Sequence, residues 1–406
     1  MSASVAGAAR GPGGVAGPDA ERMADTLARA FALWRSRNYA RRREAVGAIA
    51  HSAGYSVATL DNSIDALLKP FTAEALKSFA ALVSASGRAD RPNTIGFIAA
   101  GNVAGAGIHE IAIALIAGAR VIVKTASAEP IFFAQFARTL AEIDPETAAR
   151  IEVVHWSRAR ADLTAALVAK CERVVAYGDD STIESLHRPN VIGFGSRVSA
   201  AVVAGGAIIP SRIDGLAEAL ARDVALFEQL GCLSLHQVFV VGSAEGAARA
   251  LAVRMSAALE SLGKSMPPAR IPLSDAAQVR AVRERARWRA IAGEPVELFE
   301  GRALEWTVVF ESDGALNDSF KVSPGFRTVH VTAVRNLAEF RERVDSVAGR
   351  IEAMAVAGDE SEAAEIRATL ATLGIPYVCA PGEMQSPPLD WRHGGGAFLD
   401  LMVRRR

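Results

Sequence analysis

From Asp19 to about Val83 apolar residues recur at helical spacing, Met23, Leu27, Phe31 and Trp34 first, then Ile64, Leu67, Leu68, Phe71, Leu76 and Phe79. Residues three and four apart share a helix face, so this stretch is predicted to be entirely helical. After Pro92 the texture changes. Short apolar runs, TIGFIA, RVIVK, IEVVHW and RVVAYG, alternate with helical segments that begin after Gly105, after Pro130 and from Asp162. That rhythm predicts βαβ units, hence a largely parallel, doubly wound sheet with helices on both faces. A second, smaller α/β unit is expected from Ser211: a helix through Leu230, a strand at QVFVVG and a long helix from Ala244. WTVVFE, FRTVHV, a helix from Leu337, RIEAMAV, a helix from Glu360 and GIPYVCA follow. The expected division is a disordered tail over 1–18, helices and a nucleotide-binding domain over 19–210, a second α/β domain over 211–390 and a closing segment over 391–406. No repeat of fixed period is present, and the Pro- and Gly-rich stretch from Gly382 to Gly396 reads as a loop.

Composition narrows the classes of function. Half of the 406 residues are apolar, and 45 basic residues balance 45 acidic ones, so no overall field points to a nucleic acid or an anionic membrane. The runs Arg41–Arg43 and Arg404–Arg406 are read as a solvated helix face and a charged tail. Three cysteines, at 171, 232 and 379, show no CxxC pairing and no metal-type spacing with the seven histidines, which argues against a disulfide framework and a zinc site. A reducing cytoplasm is the expected setting. The most apolar stretch, Ile95 to Val123, is interrupted by Asn102, His109, Glu110 and Arg120, too soon for the ~20 apolar residues of a membrane span. Met1 to Pro18 lacks the charged start and apolar centre of a signal peptide.

Three segments could carry chemistry. Gly101, Gly105 and Gly107 in AAGNVAGAG follow a strand and open a helix, where backbone can approach a ligand closely. Neither GxGxxG nor GxxxxGK[ST] is present, so a tight packed turn is the competing reading. Lys124 ends the next strand, in VIVKTASAEP, within reach of a ribose or phosphate, or simply as an exposed strand end. Cys232 lies in DVALFEQLGCLSLHQVFV, between helix and strand. A free cysteine is ordinarily a small buried hydrophobe, but a Gly-Cys-Leu-Ser reversal suits a reactive thiol. Cys171, at a helix end, and Cys379, inside a strand, keep the packing reading. His236, four residues beyond Cys232, is a candidate proton donor, and His109 a structural histidine.

In this order, GNVAGAG, VIVKTASAEP, DVALFEQLGCLS and the closing PPLDWRHGGGAFLDLMVRR resemble the aldehyde dehydrogenase superfamily. More narrowly they resemble the acyl-CoA reductases typified by the fatty-acid reductase of bacterial bioluminescence, from about Asn93 onward. The resemblance implies an aldehyde dehydrogenase-like α/β fold with a cofactor domain and a catalytic cysteine domain. It also implies roles: Cys232 as nucleophile, Asn102 as the amide that binds the thioester oxyanion, Lys124 at the adenosine ribose and Gly178 over the cofactor pyrophosphate. Gly101 would belong to the same cofactor turn.

Two departures refine it. Relatives that release a free acid use the glutamate of a Glu-Leu-Gly-Gly segment to activate water, and here the matching residue is Gly193. Without that base, reduction of an acyl thioester is expected over oxidation of an aldehyde. NAD-preferring relatives place a glutamate three residues after the lysine, whereas this chain has Ser127; NADPH is therefore the expected cofactor, with NADH as the alternative. Asp179 and Asp180 lie where a pyrophosphate should approach, or cap a helix. The expected substrate is a long-chain acyl-CoA or acyl-protein thioester, with an acyl-activating enzyme as partner, a homo-oligomeric state and no nucleic acid. Two other readings stay open: an acyl-phosphate or aldehyde dehydrogenase of the superfamily, and a non-catalytic nucleotide-binding subunit.

Overall fold

The computed structural model describes residues 17–85, 92–242, 245–312 and 320–398. Of the expected tail, all but Gly17 and Pro18 lies outside the described residues, as do Arg404–Arg406. Four helices open the chain: α1 (Gly17–Arg35), α2 (Ala40–Ala53), α3 (Val57–Leu68) and α4 (Ala73–Ala85). Their apolar stripes meet, with Phe31 and Trp34 of α1 fully buried. The basic run corrects one expectation. Arg42 is completely buried, because its guanidinium pairs with Asp61 and Asp65 at 2.7 Å each and donates to the Trp34 carbonyl at 2.8 Å. Paired and bonded on several sides, it can be enclosed where a lone cation could not.

The first sheet follows. It is built from β1 (Thr94–Ile98), α5 (Ile108–Ile116), β2 (Arg120–Thr125), α6 (Phe132–Ile143), the single turn α7 (Pro145–Ala148), β3 (Ile151–His155), α8 (Ala161–Lys170), β4 (Arg173–Tyr177), α9 (Asp180–Ser185) and β5 (Val191–Phe194). Its strands run in the order β3-β2-β1-β4-β5, all parallel. Side chains alternate between its faces as strand geometry requires: Ile95, Phe97, Val121 and Val123 join the opening helices, while Ile98, Ile122, Val174 and Ala176 pack on α8. Both faces are buried, which is why these strands read as continuous apolar runs.

The second sheet has seven strands. Its elements are β6 (Val198–Ala204), α10 (Ile213–Ala225), β7 (Leu235–Val241), α11 (Glu245–Ser265), α12 (Leu273–Ile291), β8 (Val296–Glu300), β9 (Thr307–Glu311), β10 (Thr328–Val334), α13 (Leu337–Asp345), β11 (Ile351–Ala357), α14 (Glu360–Thr372) and β12 (Tyr377–Cys379). The order is β12-β11-β6-β7-β10-β9-β8, with β8 antiparallel to β9. Ala201, Val203, Val238 and Val240 face α10 and α11; Ala200, Val202, Phe239 and Val241 face α13 and α14. The strands β5, β6 and β8 and the helix α12 were not expected from the sequence, and β6 carries the passage between sheets to 195–197, ahead of residue 210. The helix expected through Leu230 ends at Ala225.

Candidate functional site

One cavity of about 1360 Å³ runs from the C-terminal edge of the first sheet to the turn that carries Cys232. Gly101, Asn102, Lys124, Ser127, Gly178 and Cys232 all line it. Residues as far apart as 101 and 232 meet there because parallel strands deliver their C-terminal loops to one edge, where ligands of such sheets bind.

Cys232 is half-buried in a turn over 231–234. The turn is pinned on three sides: Gly231 N–H donates to Ser234 Oγ at 3.1 Å, Gln385 Nε2 donates to the same oxygen at 3.2 Å, and Ser199 Oγ donates to the Cys232 carbonyl at 2.7 Å. The approach is unusual backbone. Phe227, Glu228 and Gln229 are consecutive left-handed residues, with φ of 51°, 50° and 63°, a conformation that L side chains adopt only when surroundings enforce it. Ser63 Oγ accepts the Phe227 N–H at 2.8 Å. The Gln229 side chain donates to the carbonyls of Leu235 and Thr328 and accepts the Thr328 N–H. The two other thiols are packing groups, as read from the sequence: burial pushes Cys171 up to about 11 and Cys379 up to about 12.

Asn102 sits opposite, on the loop after β1. Its Nδ2 donates to the Leu230 carbonyl at 2.5 Å, two residues before the cysteine, and its own carbonyl accepts from Tyr55 Oη at 3.0 Å. An amide nitrogen carries two hydrogens, so one remains after the bond to Leu230. Gly107, at φ +92°, closes this loop; a Cβ there would lie 3.0 Å from the Tyr177 ring. Farther along, the Lys124 amine is held below its usual range by burial and by nearby Arg158, whose guanidinium donates to Thr182 Oγ1 at 2.8 Å. Gly178 meets α9, since a Cβ would stand 2.9 Å from Thr182 Cγ2. Asp179 is the N-cap of α9, accepting the Thr182 N–H at 2.7 Å, and Asp180 pairs with Arg350 at 3.0 Å. Gly193 is turned away from the cavity: a Cβ there would fall 2.2 Å from Ile183 Cγ2.

The cavity contains a group that sequence reasoning missed. His393, from the closing WRHGGG segment, is buried with its Nδ1 2.6 Å from Glu110 Oε1. Its ring stacks between Phe194, at a 3.9 Å centroid distance, and Trp391, at 4.2 Å. Cys232 lines the same cavity, and its side chain interacts with this imidazole. Burial alone would make this histidine less basic, but the Glu110 carboxylate, aided by interaction with the Cys232 side chain, outweighs it and lifts the imidazole to about 10. Burial would likewise raise Glu110, yet the imidazolium brings it down to about 2. One signal was available in the sequence: a glutamate inside IHEIAIALI, a helix apolar but for His109 beside it, must find a partner when buried. His236 accepts the Ser323 N–H at Nδ1, and burial, helped by nearby His330, drops it to about 4. His109 is buried beside Phe71 and Trp391.

The His393 shift sets a pH dependence of stability. Its folded value of about 10 lies above the ~6.5 of an unfolded histidine, so the contribution is complete below about 6.5 and lost as pH rises through 10. Urea unfolding is expected to show wild-type stability declining between pH 7 and 10, with that decline much reduced in Glu110→Gln.

The fold is that of the aldehyde dehydrogenases. Aldehyde dehydrogenase 21 of Physcomitrella patens superposes with a TM-score of 0.69 over 96% of this chain and 85% of its own, at 13% identity. The NADP+ complex of succinic semialdehyde dehydrogenase from Streptococcus pyogenes does so at 0.64, covering 93% and 86% at 15% identity. A family model of acyl-CoA reductases (LuxC) matches residues 15–405, and the chain belongs to that family. Over 151 residues it is 26% identical to long-chain acyl-protein thioester reductase 2 of Photobacterium leiognathi, a match spanning 35% of this chain and 31% of that relative. Among the described residues no helix is long and apolar enough to cross a membrane, and no cluster of His, Cys, Asp and Glu is arranged to hold a metal ion.

Proposed function

We propose that this protein reduces a long-chain acyl thioester, carried by CoA or by a protein, to the aldehyde with NADPH as reductant. The observation that carries the reading is the convergence of Cys232, on its braced turn, with Asn102 at one end of a cavity whose other end holds Lys124 and Gly178. Cys232 attacks the thioester carbonyl, and the free Nδ2 hydrogen of Asn102 and the backbone N–H at Cys232 receive the oxyanion. The donor thiol leaves and a thioacyl-enzyme remains.

The far end of the cavity suits a dinucleotide. Gly101, Ala126, Ala128 and Ala165 leave room, and Lys124 and Arg158 supply two cations. Lys124 and Ser127 would hold the adenosine ribose, with Gly101 and Gly178 along the phosphates; when bound, the nicotinamide supplies the hydride that turns the thioacyl carbonyl into an aldehyde. Asp179 and Asp180 do not oppose this, being engaged as helix cap and as partner of Arg350. Hydrolysis has no evident base, because position 193 is glycine facing Ile183 and Glu110 is committed to His393. The similarity to a long-chain acyl-protein thioester reductase supports the same substrate class.

Intact-mass measurement tests the reading. Wild-type protein incubated with palmitoyl-CoA should gain one acyl mass on the Cys232 peptide, Cys232→Ala should gain none, and adding NADPH should discharge it as aldehyde. An unmodified wild-type protein across a panel of chain lengths, with no NADPH oxidised, sinks it. Ser127→Glu should shift the NADPH-to-NADH ratio of kcat/KM by about 10–100-fold toward NADH, equivalent to about 1.4–2.8 kcal/mol, since a carboxylate there repels a 2′-phosphate and accepts ribose hydroxyls.

A further inference from the structure

We propose that His393 is a catalytic acid of this site, giving its Nε2 proton to the departing thiol sulfur as Cys232 is acylated, with Glu110 as the residue that positions it. The inference rests on Cys232 being the acyl acceptor.

Geometry carries it. Nδ1 of His393 is bonded to Glu110 Oε1 at 2.6 Å, which leaves Nε2 as the ring's other polar edge, and the ring and Cys232 line the same cavity, where the two side chains interact. The ring cannot swing away: Phe194 lies on it at an interplanar angle of 7° and Trp391 at 18°. The next residue is tethered as well. Gly394 N–H donates to both carboxylate oxygens of Glu352, at 3.1 and 3.2 Å. Its φ of +66° and the 3.0 Å that a Cβ would leave to Phe194 Cε1 demand glycine for the chain to turn there. Three separate parts of the fold, α5, β5 and β11, thus fix one imidazole in the cavity that Cys232 lines.

Charged and titratable groups from five parts of the described fold surround the ring. Glu110 and His109 come from α5, Tyr177 from β4, Glu352 from β11, Arg197 from the segment before β6, and Cys232 from its turn. Arg197 lies 3.3 Å from Glu352, so Glu352 has a cation of its own, and it is Glu110, bonded to the ring, that holds the proton on the imidazole. Neither other histidine of the cavity is placed for this role. His236 spends Nδ1 on Ser323, and His109 is packed on Phe71 and Trp391.

The balance is simple. The Cys232 sulfur–carbon bond forms, the carbon–sulfur bond of the donor breaks, and the leaving thiolate takes the His393 proton. The neutral imidazole recovers a proton from solvent, which is the one proton that reduction of a thioester to aldehyde and free thiol consumes.

The test varies the leaving group and needs no cofactor. Thioacyl formation is timed by rapid-quench mass spectrometry with two donors of one acyl chain, the CoA thioester and the 4-nitrothiophenyl thioester, whose thiolate departs unaided. His393→Gln should slow acylation from CoA by about 10²-fold and from the aryl donor by less than about 10-fold. Glu110→Gln, nearly isosteric, should show the same asymmetry more weakly, and it carries the comparison if the histidine variant does not fold. Equal losses with both donors would reduce His393 to a structural role and overturn the proposal, as would no loss with either. A wild-type protein that acylates Cys232 with neither donor fails earlier, at the nucleophile itself.

Discussion

Asn102→Ala is expected to slow thioacyl formation on Cys232 by about 10²–10³-fold, the loss typical of removing one oxyanion donor. In the proposed role the side chain is a fixed dipole rather than a mobile one. One Nδ2 hydrogen is spent on the Leu230 carbonyl, so the amide plane is set by the same segment that sets the cysteine, and the remaining hydrogen is aimed without reorganisation. Tyr55 Oη holds the Asn102 backbone from behind. Asn102→Asp is the sharper comparison. It preserves shape but replaces a donor by a negative acceptor beside the forming oxyanion, so it should be at least as slow as alanine. Single-turnover acylation from an acyl-CoA checks both; a loss below about tenfold in both variants removes Asn102 from the oxyanion site.

How much of this was legible beforehand follows from what each feature depends on. The strands β1, β2, β4 and β7 were visible because sheets buried on both faces write themselves as uninterrupted apolar runs. The strand β6 was not, since VSAAVVAGG is rich in alanine and reads equally as helix or loop. In β8, VELFE sets two glutamates among bulky apolar residues without strict alternation, and only its place at the antiparallel edge gives that pattern meaning. The candidate cofactor and cysteine positions could be assembled because each sits in a loop, or at a strand end beside one, with its own local texture. His393 could not, because its chemistry comes from Glu110, 283 residues away, and no spacing rule links them. Arg42 makes the same point in reverse: a run that looks solvated contains the most enclosed cation among the opening helices. Pairings between distant elements are the part of a site that composition and periodicity do not encode.

The largest effect on stability is expected at Arg327. Its guanidinium bonds to both oxygens of Glu228, at 3.1 and 2.8 Å, with each side chain 1% exposed. Glu228 also accepts the Ala269 N–H at 3.1 Å, and its carbonyl accepts the Phe326 N–H at 2.8 Å. Burial pushes the Glu228 carboxyl above its usual range, against the pull of Arg327. Arg327→Leu leaves that carboxylate enclosed without its partner, which should lower stability by about 3–5 kcal/mol. Glu228→Gln/Arg327→Leu should recover much of this, because the unpaired charge is gone. The consequence reaches the chemistry through the backbone. Glu228 is the middle of the left-handed run that leads to Cys232, and each such residue stores about 1–3 kcal/mol of strain that its surroundings must hold. Arg327 is itself left-handed, with φ of 56°, so the ion pair clamps two strained segments to each other. The double variant should therefore unfold near the wild-type urea midpoint yet acylate more slowly, its Cys232 turn having lost the clamp. A double variant equal to wild type in both would show that Ser63 and Gln229 hold the turn unaided.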